Sequence, residues 1–587
     1  MKKFFKYFLA VILGGLVSSI ILFLIFVATM SAISSKQKRP YEVKETSVYH
    51  LKLNKQIVER SPETFWSNLD FIPESGNETI GLNDILKNIK KAEKEDNIKG
   101  IYLELSVLQS GIATADEIRQ ALETFKKSGK FIVAYGEYMD KKSYYLATVA
   151  DEIYLNPAGL IEFAGLRSEV LFFKGTFEKL GIKPKVFKSG KYKSYGERYD
   201  SDKLSPQNRE QINAYVSEIW MKMLENISKN RNIKTGRLNE IASTLDFIES
   251  KKLVSNGLID NLLYKDEVSE IIKEKCGTSK KPKYISHSKM NKVEKKNDYR
   301  GYAKEKIAVI YAYGTVLTGN QGEGTISSER ISQVIEKARE DSLIKAIVLR
   351  VNSGGGSSLA SEIIWRELKL TKEIKPVIVS MGDIAASGGY YISVPADTIL
   401  ANRFTLTGSI GVIGITYNAK NFFNKKLGIT NDLVKTNPYA DFGNIMREMS
   451  PVEETAVNKM IGIVYDDFVN HVAEERNQPY EDIHKIAQGR IWGGEHAKRN
   501  GLIDNFGSVD DAVLIAARMA KIEKYRVVEL PKLEDPFEKL LKDGSDEIKT
   551  RLIKNELGDS YIYYNELKEL FKGGICQTRL PFDIQIK

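Results

Sequence analysis

The sequence predicts an α/β protein made of two tandem domains, each built on a parallel sheet. The first observation is an internal repeat: at an offset of 246 residues, 85–166 aligns with 331–412 without a gap. The hexapeptide Asn-Gly-Leu-Ile-Asp-Asn also occurs twice, starting at Asn256 and at Asn500. A period this long indicates duplicated domains rather than a solenoid of short repeats. The second observation is that strand, Gly-rich turn and helix alternate along each copy, which is typical of right-handed βαβ units.

The second copy gives the clearest order of elements. We predict strands at 307–313, 346–351 and 377–381, and helices at 331–338, 359–368 and 388–391, from apolar runs and helical spacing. The first copy follows the same order, with strands at 100–105 and 131–135. Functional groups gather at the carboxyl ends of parallel strands. The Gly-rich turns at Gly354 and Ser387 follow such ends, so we expect them at the functional edge of the sheet.

Composition favours a globular protein with few special requirements. The 587 residues are 42% hydrophobic and 28% charged, which is enough to form ordinary cores. The net charge of +10 comes from dispersed basic residues and one Lys-rich stretch between the repeats, which we interpret as a solvated linker because no nucleic-acid motif accompanies it. Cys276 and Cys576 are far apart, and the five histidines show no metal-ligand spacing. We therefore predict no metal, no cofactor and no nucleic-acid partner.

The amino terminus has a different character. After Lys2, Lys3 and Lys6 comes an uncharged run from Tyr7 to Ser35. This run exceeds the roughly 20 apolar residues that span a bilayer and the roughly 7–15 of a cleaved signal. We predict a single transmembrane helix at Tyr7–Ala32, whose orientation is not settled by the basic residues on its two sides. The predicted organisation is an anchor at 1–35, a first domain at 46–272, a Lys-rich linker at 273–304, a second domain at 305–525 and a tail at 526–587.

Ser387 is a candidate nucleophile. It begins a short helix after a buried strand, although serine at such a position is also a common helix cap. Gly388 leaves its N–H approachable, and a helix amino terminus favours developing negative charge. The turn 354–356 ends the strand expected beside it and offers N–H groups for the other half of an oxyanion hole, where one donor is worth roughly 2.7–4 kcal/mol. A flexible loop is the alternative interpretation of that turn.

A serine hydroxyl needs a base, and histidine is the usual one. None of the histidines falls within these motifs. A lysine can act instead if burial lowers its pKa by several units. Asp383 and Asp397 are near Ser387 in sequence, but a carboxylate beside the lysine would hold it charged.

Five segments resemble the bacterial signal peptide peptidase A family. They are Ala385-Ala-Ser-Gly-Gly-Tyr-Tyr, Arg350-Val-Asn-Ser-Gly-Gly-Gly-Ser, Leu406-Thr-Gly-Ser-Ile-Gly-Val, Gly190-Lys-Tyr-Lys-Ser and Gly489-Arg-Ile-Trp. The resemblance spans nearly the whole chain and is closest to the long form, which pairs a degenerate domain with an intact one. It implies two tandem ClpP/crotonase-like domains and a serine peptidase that works through a Ser/Lys pair.

The resemblance also implies roles for individual residues. Ser387 is the expected nucleophile, Lys193 the expected general base and Ser409 the hydroxyl that orients the lysine. Gly388 is the expected oxyanion donor from the helix, with Gly355 or Gly356 as the donor from the turn. The family usually has Pro where Gly354 stands, and glycine permits φ > 0, so we expect a less rigid oxyanion hole.

The repeat supports the Ser/Lys pair independently. Ser387 aligns with Lys141 of the first copy, and Lys193 aligns with Ala440 of the second. Each copy has kept one member of the pair, which fits one composite site assembled from both halves. Taken alone, Lys193 would be interpreted as a surface residue of a Lys-rich loop.

The resemblance implies peptide substrates, namely signal peptides left in the membrane after secretory precursors are cleaved. It also implies a homotetramer in the bacterial inner membrane, with the catalytic domains on the periplasmic side. Two alternatives remain from the sequence: a catalytically inactive membrane scaffold, and a crotonase-type enzyme acting on acyl-thioesters. A crotonase-type enzyme would not require the pair Ser387 and Lys193.

Overall fold

The structure, a computed structural model, describes residues 40–61, 79–294, 303–533 and 577–579, together with short stretches within 4–22 and position 556. Most of the transmembrane helix predicted at Tyr7–Ala32 lies outside the described residues. Within the part of the chain that is described, no helix combines the length and the apolar character needed to cross a bilayer.

The strands are numbered in chain order. Their bounds are β1 Ser47–Leu53, β2 Gln56–Val58, β3 Thr79–Gly81, β4 Ile98–Leu105, β5 Phe131–Met139, β6 Glu152–Ile161, β7 Lys183–Ser189, β8 Asn261–Leu262, β9 Lys283–Ile285, β10 Lys306–Tyr313, β11 Thr315–Leu317, β12 Thr325–Ser327, β13 Ile344–Ser353, β14 Gly355–Ser357, β15 Val377–Ala386, β16 Thr398–Ala401, β17 Leu406–Gly408, β18 Val412–Asn418, β19 Ile491–Gly493, β20 Asn505–Phe506, β21 Arg526–Leu530 and β22 Gln577–Arg579.

The helices are numbered in the same way. Their bounds are α1 Leu82–Lys94, α2 Ile112–Lys126, α3 Lys141–Ala147, α4 Lys174–Leu180, α5 Glu197–Asp200, α6 Pro206–Arg231, α7 Thr235–Thr244, α8 Ser250–Ser255, α9 Lys265–Lys275, α10 His287–Asn291, α11 Ser328–Glu340, α12 Ser358–Lys372, α13 Gly388–Tyr391, α14 Pro451–Glu475, α15 Tyr480–Ile486, α16 Gly494–Arg499 and α17 Val509–Met519, and a π-helical turn covers Phe422–Leu427.

Two parallel sheets carry the repeat. The first has the strand order β8-β6-β5-β4-β1-β9, and the second contains the matching series β20-β16-β15-β13-β10-β21. In the second sheet the carboxyl half of β15 leaves β16 and pairs with β17. The long strand β6 serves both halves of β5 in the first sheet. The structure therefore confirms an α/β protein with two copies of one parallel-sheet unit.

The central strands are apolar because helices cover both faces of a parallel sheet. Strand β13 is buried along eight of its ten residues. Helix α1 turns one apolar stripe inward, with Leu82, Ile85, Leu86 and Ile89 buried at helical spacing. The second sheet and its helices repeat this arrangement.

The ordered elements extend beyond the predicted domain boundaries at two places. Strand β9 pairs with β1 inside the stretch 273–304 that we predicted to be a linker. Strand β21 pairs with β10 inside the predicted tail 526–587. Each of these strands lies at the edge of its sheet. A search for long apolar runs does not detect strands as short as three to five residues.

A third sheet joins the two copies, in the order β12-β11-β14-β22-β18-β7. Strand β7 of the first copy runs antiparallel to β18 of the second along all seven residues of each strand. The chain reaches Lys193 four residues after β7, and Ser409 lies three residues before β18. This pairing brings the lysine loop of one half to the serine turns of the other.

A buried ionic cluster also connects the halves. The Arg350 guanidinium, 1% exposed, donates to Glu59 Oε2 at 3.0 Å and to Glu117 Oε1 at 2.7 Å, both from the first copy. Asn352 Nδ2 donates to Glu59 Oε1 at 2.8 Å. Burial raises the pKa of Glu117 to about 7, although the Arg350 charge acts in the opposite direction. The cluster lies beside β15, the strand that leads to Ser387, since Arg350 also donates to Ser380 Oγ.

Replacing Arg350 with Ala should lower the free energy of unfolding by about 3–5 kcal/mol, because it leaves Glu59 and Glu117 buried without their cation. Chemical denaturation followed by circular dichroism measures the change. The matched control is Arg366→Ala on the exposed face of α12, which should change the same quantity by about 0.5 kcal/mol or less. Equal stability of the two variants would show that the cluster does not hold the halves together.

Candidate active site

Ser387 occupies a sharp turn between β15 and α13. Its backbone has φ 57° and ψ −119°, a conformation that L-residues rarely adopt. The Ser387 N–H donates to Gly408 O at 2.8 Å, which ties the turn to β17. A Cβ on Gly389 would lie 2.5 Å from Ser353 O, so the start of α13 approaches the end of β13 as only glycine permits. These contacts fix the hydroxyl at the carboxyl edge of the sheet.

Lys193 enters the site from the loop after β7. The loop is anchored on the second copy, since the Tyr192 N–H donates to Gln488 O at 2.8 Å. Gly489 packs directly against the lysine: a Cβ there would lie 2.6 Å from Lys193 Cβ. The side chain is fully buried, and Nζ lies 2.7 Å from Ser387 Oγ.

Ser409 completes the cluster. Lys193 Nζ lies 3.0 Å from Ser409 O and 3.1 Å from Ser409 Oγ. The Ser409 N–H donates to Arg490 O at 2.7 Å, and its hydroxyl donates to Gly489 O at 3.4 Å. The segment 488–490 therefore holds both the lysine loop and the turn that carries Ser409.

An uncharged amine can make all three contacts of Lys193 Nζ. A neutral –NH₂ has two donors and one lone pair, whereas an ammonium has three donors and none. Once the amine is uncharged, its two N–H groups donate to Ser409 O and Ser409 Oγ, and its lone pair accepts from the Ser387 hydroxyl 2.7 Å away. Burial lowers the pKa of Lys193 well below its usual 10.5. The geometry places a buried amine with a lowered pKa in hydrogen-bond contact with the Ser387 hydroxyl.

The two nearby aspartates do not disturb this base. Asp383 accepts from the Thr114 N–H at 2.9 Å and from the Thr114 hydroxyl. Asp397 accepts from the Val377 N–H at 2.8 Å. Among the described residues, Lys193 forms no ion pair with a carboxylate.

The pH dependence of peptide cleavage should follow the protonation of Lys193. The rate should rise as pH increases through the depressed pKa of the lysine and reach its plateau well below pH 10.5, because only the neutral amine accepts the Ser387 proton. Measuring kcat/KM on a fluorogenic peptide between acid and alkaline pH tests this. An acidic limb centred at the ordinary pKa of lysine would contradict it.

The glycines of the predicted oxyanion hole lie at the two turns. Gly388 is the first residue of α13, at the positive end of the helix. Gly355 has φ 94°, and its N–H donates to Ser353 Oγ at 3.1 Å. Gly356 is in β14, where a Cβ would lie 2.1 Å from Val316 O. Both turn glycines are required by the backbone, and the choice between them as oxyanion donor stays a prediction.

The lower rigidity expected at Gly354 stays a prediction. Gly354 is absent from the described glycines with positive φ, so the turn does not use the freedom that glycine offers there. Ser353 closes the turn on both sides, because its hydroxyl donates to Gly314 O at 2.6 Å and accepts from Gly355.

The equivalent position in the first copy has different chemistry. Lys141 stands where Ser387 stands in the second copy, and its Nζ donates to the Glu162 carboxylate. The Lys141 contact lowers the pKa of Glu162. An ion pair therefore occupies the place of the nucleophile, which agrees with the sequence-based interpretation of the first copy as degenerate.

In the described part of the chain, the histidines form their hydrogen bonds with residues other than Ser387, Lys193 and Ser409. Each has a side-chain partner elsewhere: His50 with Glu104, His287 with Tyr49, His471 with Glu362, His484 with Tyr465 and His496 with Glu218. Sequence reasoning missed the positioning residues Gln488 and Gly408. Both residues act through backbone carbonyl oxygens. Every residue type has such an oxygen, so the sequence gives no signal for these contacts.

The arrangement places a buried lysine amine beside a serine hydroxyl. Comparison with known proteins identifies the class of the protein. The profile described as Peptidase family S49 matches residues 124–279 and 369–523, one match in each copy. The chain belongs to peptidase family S49, and it is a serine protease.

Three relatives match over most of their length. Protease 4 of Salmonella typhi is 37% identical over 462 residues, which cover 76% of this chain and 73% of the relative. Serine protease SPPA, chloroplastic, of Arabidopsis thaliana is 34% identical, covering 78% of this chain and 69% of the relative. Protease 4 of Haemophilus influenzae is 33% identical, covering 84% and 83%. A solved ClpP1 variant from Listeria monocytogenes covers 35% of this chain and 94% of its own at 18% identity, with a TM-score of 0.24.

Replacing Ser409 with Ala should lower kcat by about 10–100-fold with little change in KM, as for other residues that orient a catalytic group. The amine keeps Ser409 O but loses the hydroxyl that fixes its second N–H. Steady-state kinetics separate the two parameters. The control for loss of a serine is Ser361→Ala in α12. It removes a buried hydroxyl that donates to Ser357 O. An effect on KM alone would contradict an orienting role.

Proposed function

We propose that the protein is a membrane-bound Ser/Lys endopeptidase in which Ser387 is the nucleophile and Lys193 the general base. The observation that carries this proposal is the 2.7 Å contact between Lys193 Nζ and Ser387 Oγ in a fully buried setting. Ser409 orients the amine, and Gly388 with Gly355 or Gly356 supplies the oxyanion donors.

The chemistry follows from this contact. Ser387 Oγ attacks the scissile carbonyl carbon while its proton passes to Lys193 Nζ. The C–N bond then breaks, and the leaving amine takes that proton from the lysine. Water hydrolyses the resulting ester after giving a proton to the same Nζ, and the returning proton restores the Ser387 hydroxyl. Positive charge on the lysine in each transition state is opposite to the charge on the oxyanion, which stabilises both steps.

Covalent labelling tests the nucleophile directly. A serine-directed acylating inhibitor should modify Ser387 in the wild-type chain, and peptide mapping by mass spectrometry should locate the adduct there. Lys193→Ala should slow labelling strongly because the hydroxyl then has no base. Modification of another serine at an equal rate would overturn the assignment.

We propose cleaved signal peptides as the substrate class, with the chain held in the bacterial inner membrane and its catalytic domains on the periplasmic side. Support comes from the apolar run at Tyr7–Ala32 and from the family resemblance. A run of this length is sufficient to span a bilayer, and it would hold the site near peptides that reside there. Incubating the detergent-solubilised chain with a synthetic signal peptide and with a polar peptide of equal length tests the preference. Faster turnover of the polar peptide would contradict it.

Two alternatives from the sequence are less well supported. An inactive scaffold has no need for the continuous contact from Ser387 to Lys193 to Ser409. A crotonase-type enzyme would not use a serine with a lysine base. Turnover of peptide by the wild-type chain, lost in Ser387→Ala, separates the peptidase from both.

We also propose that copies of the chain associate head to tail into a closed ring, with four subunits as the family resemblance implies. The support is an unequal burial of repeat-related residues. Phe187 is 4% exposed because β7 is covered, whereas its counterpart Val434 is 97% exposed. Tyr192 is 7% exposed, and its counterpart Tyr439 is 49% exposed. Residues 166–172 of the first copy are the counterpart of β18 in the repeat. If the β7–β18 contact were repeated between chains, this segment of the next chain would cover the loop that contains Val434 and Tyr439.

Light scattering in detergent tests the ring. Val434→Asp should reduce the particle to smaller species, since it places a charge in the proposed contact. Val452→Asp, also on the exposed surface, is the matched control and should leave the mass unchanged. A wild-type mass equal to that of one chain would contradict assembly.

A further inference from the structure

Gln211 lies where the lysine loop of the first copy meets the second copy. The residue is in α6, and its side chain has no exposed surface. Its Nε2 donates to Tyr192 O and to Ser194 Oγ, each at 3.1 Å, and these two residues flank Lys193 in the chain. Its Oε1 accepts from the Ile491 N–H of β19 at 3.1 Å. One side chain therefore joins the neighbours of the proposed base to a strand of the other half.

The partners of this amide determine its residue type. Tyr192 O can only accept a hydrogen bond, and the Ile491 N–H can only donate one. A glutamine amide has an acceptor oxygen and two N–H donors, so it satisfies both partners, and Nε2 also donates to Asn208 Oδ1 at 3.0 Å. A carboxylate would have no donor for Tyr192 O, and an apolar side chain would leave both backbone groups buried without a partner.

The strand that Gln211 holds also supports the rest of the site. Arg490 O, which precedes Ile491, accepts from the Ser409 N–H at 2.7 Å. Ile491 itself lies opposite Gly408 in the pairing of β19 with β17. Gly408 O accepts from the Ser387 N–H at 2.8 Å. The amide of Gln211 therefore connects the lysine loop to the backbone segments that hold both serines.

The repeat provides an independent indication. Helices α6 and α14 begin alike, with Ser205 and Ser450 as N-caps, each followed by a proline. At this offset of 245 residues, Gln211 corresponds to Ala456. The copy that contains the lysine thus contains the glutamine, and the copy with Ala440 has alanine at both positions. This co-occurrence is expected if the role of the glutamine depends on the lysine.

We propose that Gln211 is a positioning residue for the Ser/Lys reaction, which holds Lys193 buried against Ser387 by joining the lysine loop to β19. The proposal rests on the Ser387/Lys193 function given above. The solvent side of the same loop is closed by Arg490, whose guanidinium lies 4.7 Å from the centre of the Tyr192 ring. Arg490 forms its ion pair there with Glu210, at 2.9 Å.

Replacing Gln211 with Met should lower kcat by about 10–100-fold and change KM by less than about twofold, as for other residues that orient a catalytic group. The thioether fills a similar volume but does not link Tyr192 O to the Ile491 N–H. A loosened loop should admit water to Lys193, so the acidic limb of kcat/KM should move to higher pH, toward the ordinary pKa of lysine. Gln211→Glu keeps the acceptor but not the donors, and kcat should fall at neutral pH as well. Wild-type kcat and an unmoved acidic limb in Gln211→Met would overturn the proposal.

Glu218→Met is the matched control for a lost contact between α6 and the second copy. Glu218 lies seven residues further along the helix, and its Oε1 accepts from the Glu495 N–H at 2.9 Å. The thermal midpoints of the two variants report the stability that each contact contributes. The control should keep the kcat and the acidic limb of the wild type. If it changed both as much as Gln211→Met does, general loosening of the fold would explain the effect and the positioning role would be refuted.

Hydrogen–deuterium exchange in the Ser387→Ala background reports on the lysine loop without catalysis. Adding Gln211→Met should speed exchange across residues 190–195, where the Tyr192 N–H donates to Gln488 O, and adding Glu218→Met should not. Unchanged exchange in this segment would contradict the anchoring of the loop by Gln211. Peptide cleavage that survives Ser387→Ala, together with faster exchange in the Gln211→Met chain, would count against the Ser387/Lys193 function and not against the anchoring.

Discussion

Replacing Ser387 with Ala is expected to lower kcat/KM for peptide cleavage by about 10⁵-fold or more, the scale seen when a serine nucleophile is removed. The hydroxyl contacts Lys193 Nζ and lies at the amino terminus of α13, where oxyanion charge is favoured. A fluorogenic peptide assay over long incubation measures the residual rate. The thermal midpoint should change little, because alanine keeps the same backbone turn.

Ser393→Ala is the matched control for this variant. Ser393 is also fully buried and lies six residues further along the chain, but its hydroxyl donates to Gly389 O at 2.7 Å rather than facing the lysine. The control should lose about 1 kcal/mol of stability and keep activity within a few-fold. Residual activity of Ser387→Ala close to that of Ser393→Ala would remove Ser387 from the mechanism.

Replacing Lys193 with Met should have effects of opposite sign on activity and stability. Cleavage should fall by about 10⁴-fold, since the thioether fills the same space but cannot accept the Ser387 proton. The free energy of unfolding at pH 7 should rise, because a buried amine without an ion-pair partner gives way to an apolar side chain. Kinetics on the peptide and chemical denaturation of the same preparations measure the two changes.

The stability gain of Lys193→Met should depend on pH with a defined sign. The lysine pKa is lowered in the folded chain, so between that value and the ordinary 10.5 the unfolded chain binds more protons than the folded one. Stability of the wild type therefore rises with pH across this window, and the gain from Met should shrink as pH approaches 10.5. A gain that is constant with pH would contradict a neutral lysine.

Two further variants separate charge from position. Lys193→Arg should be as inactive as Met, since a guanidinium stays protonated. Lys191→Met, on the exposed part of the same loop, should keep activity within about twofold. Activity in Lys193→Arg near that of the wild type would show that the side chain acts only as a positive charge.

Much of the fold could be predicted from the sequence because the repeat is long and gapless. Strand β13 was expected at 346–351 and extends over Ile344–Ser353, and helix α11 was expected at 331–338 and extends over Ser328–Glu340. The short edge strands β9 and β21 were missed. Three residues in β9 and five in β21 give too little periodicity to distinguish a strand from a loop.

The composite site could be predicted only in part. Complementary loss at Lys141 and Ala440 indicated that Lys193 and Ser387 come from different halves. Sequence spacing contained no sign of the β7–β18 pairing that brings them within 2.7 Å. The ionic cluster around Arg350 was also missed, because its carboxylates come from residues more than two hundred positions away.

The pairing of β7 with β18 makes the proposed active site depend on both copies of the repeat. The first copy has Lys141 where the second has Ser387, and it supplies Lys193 and the edge strand β7 of the third sheet. A truncated chain that kept only the second copy would retain Ser387 but would lack the Lys193 amine that lies beside it.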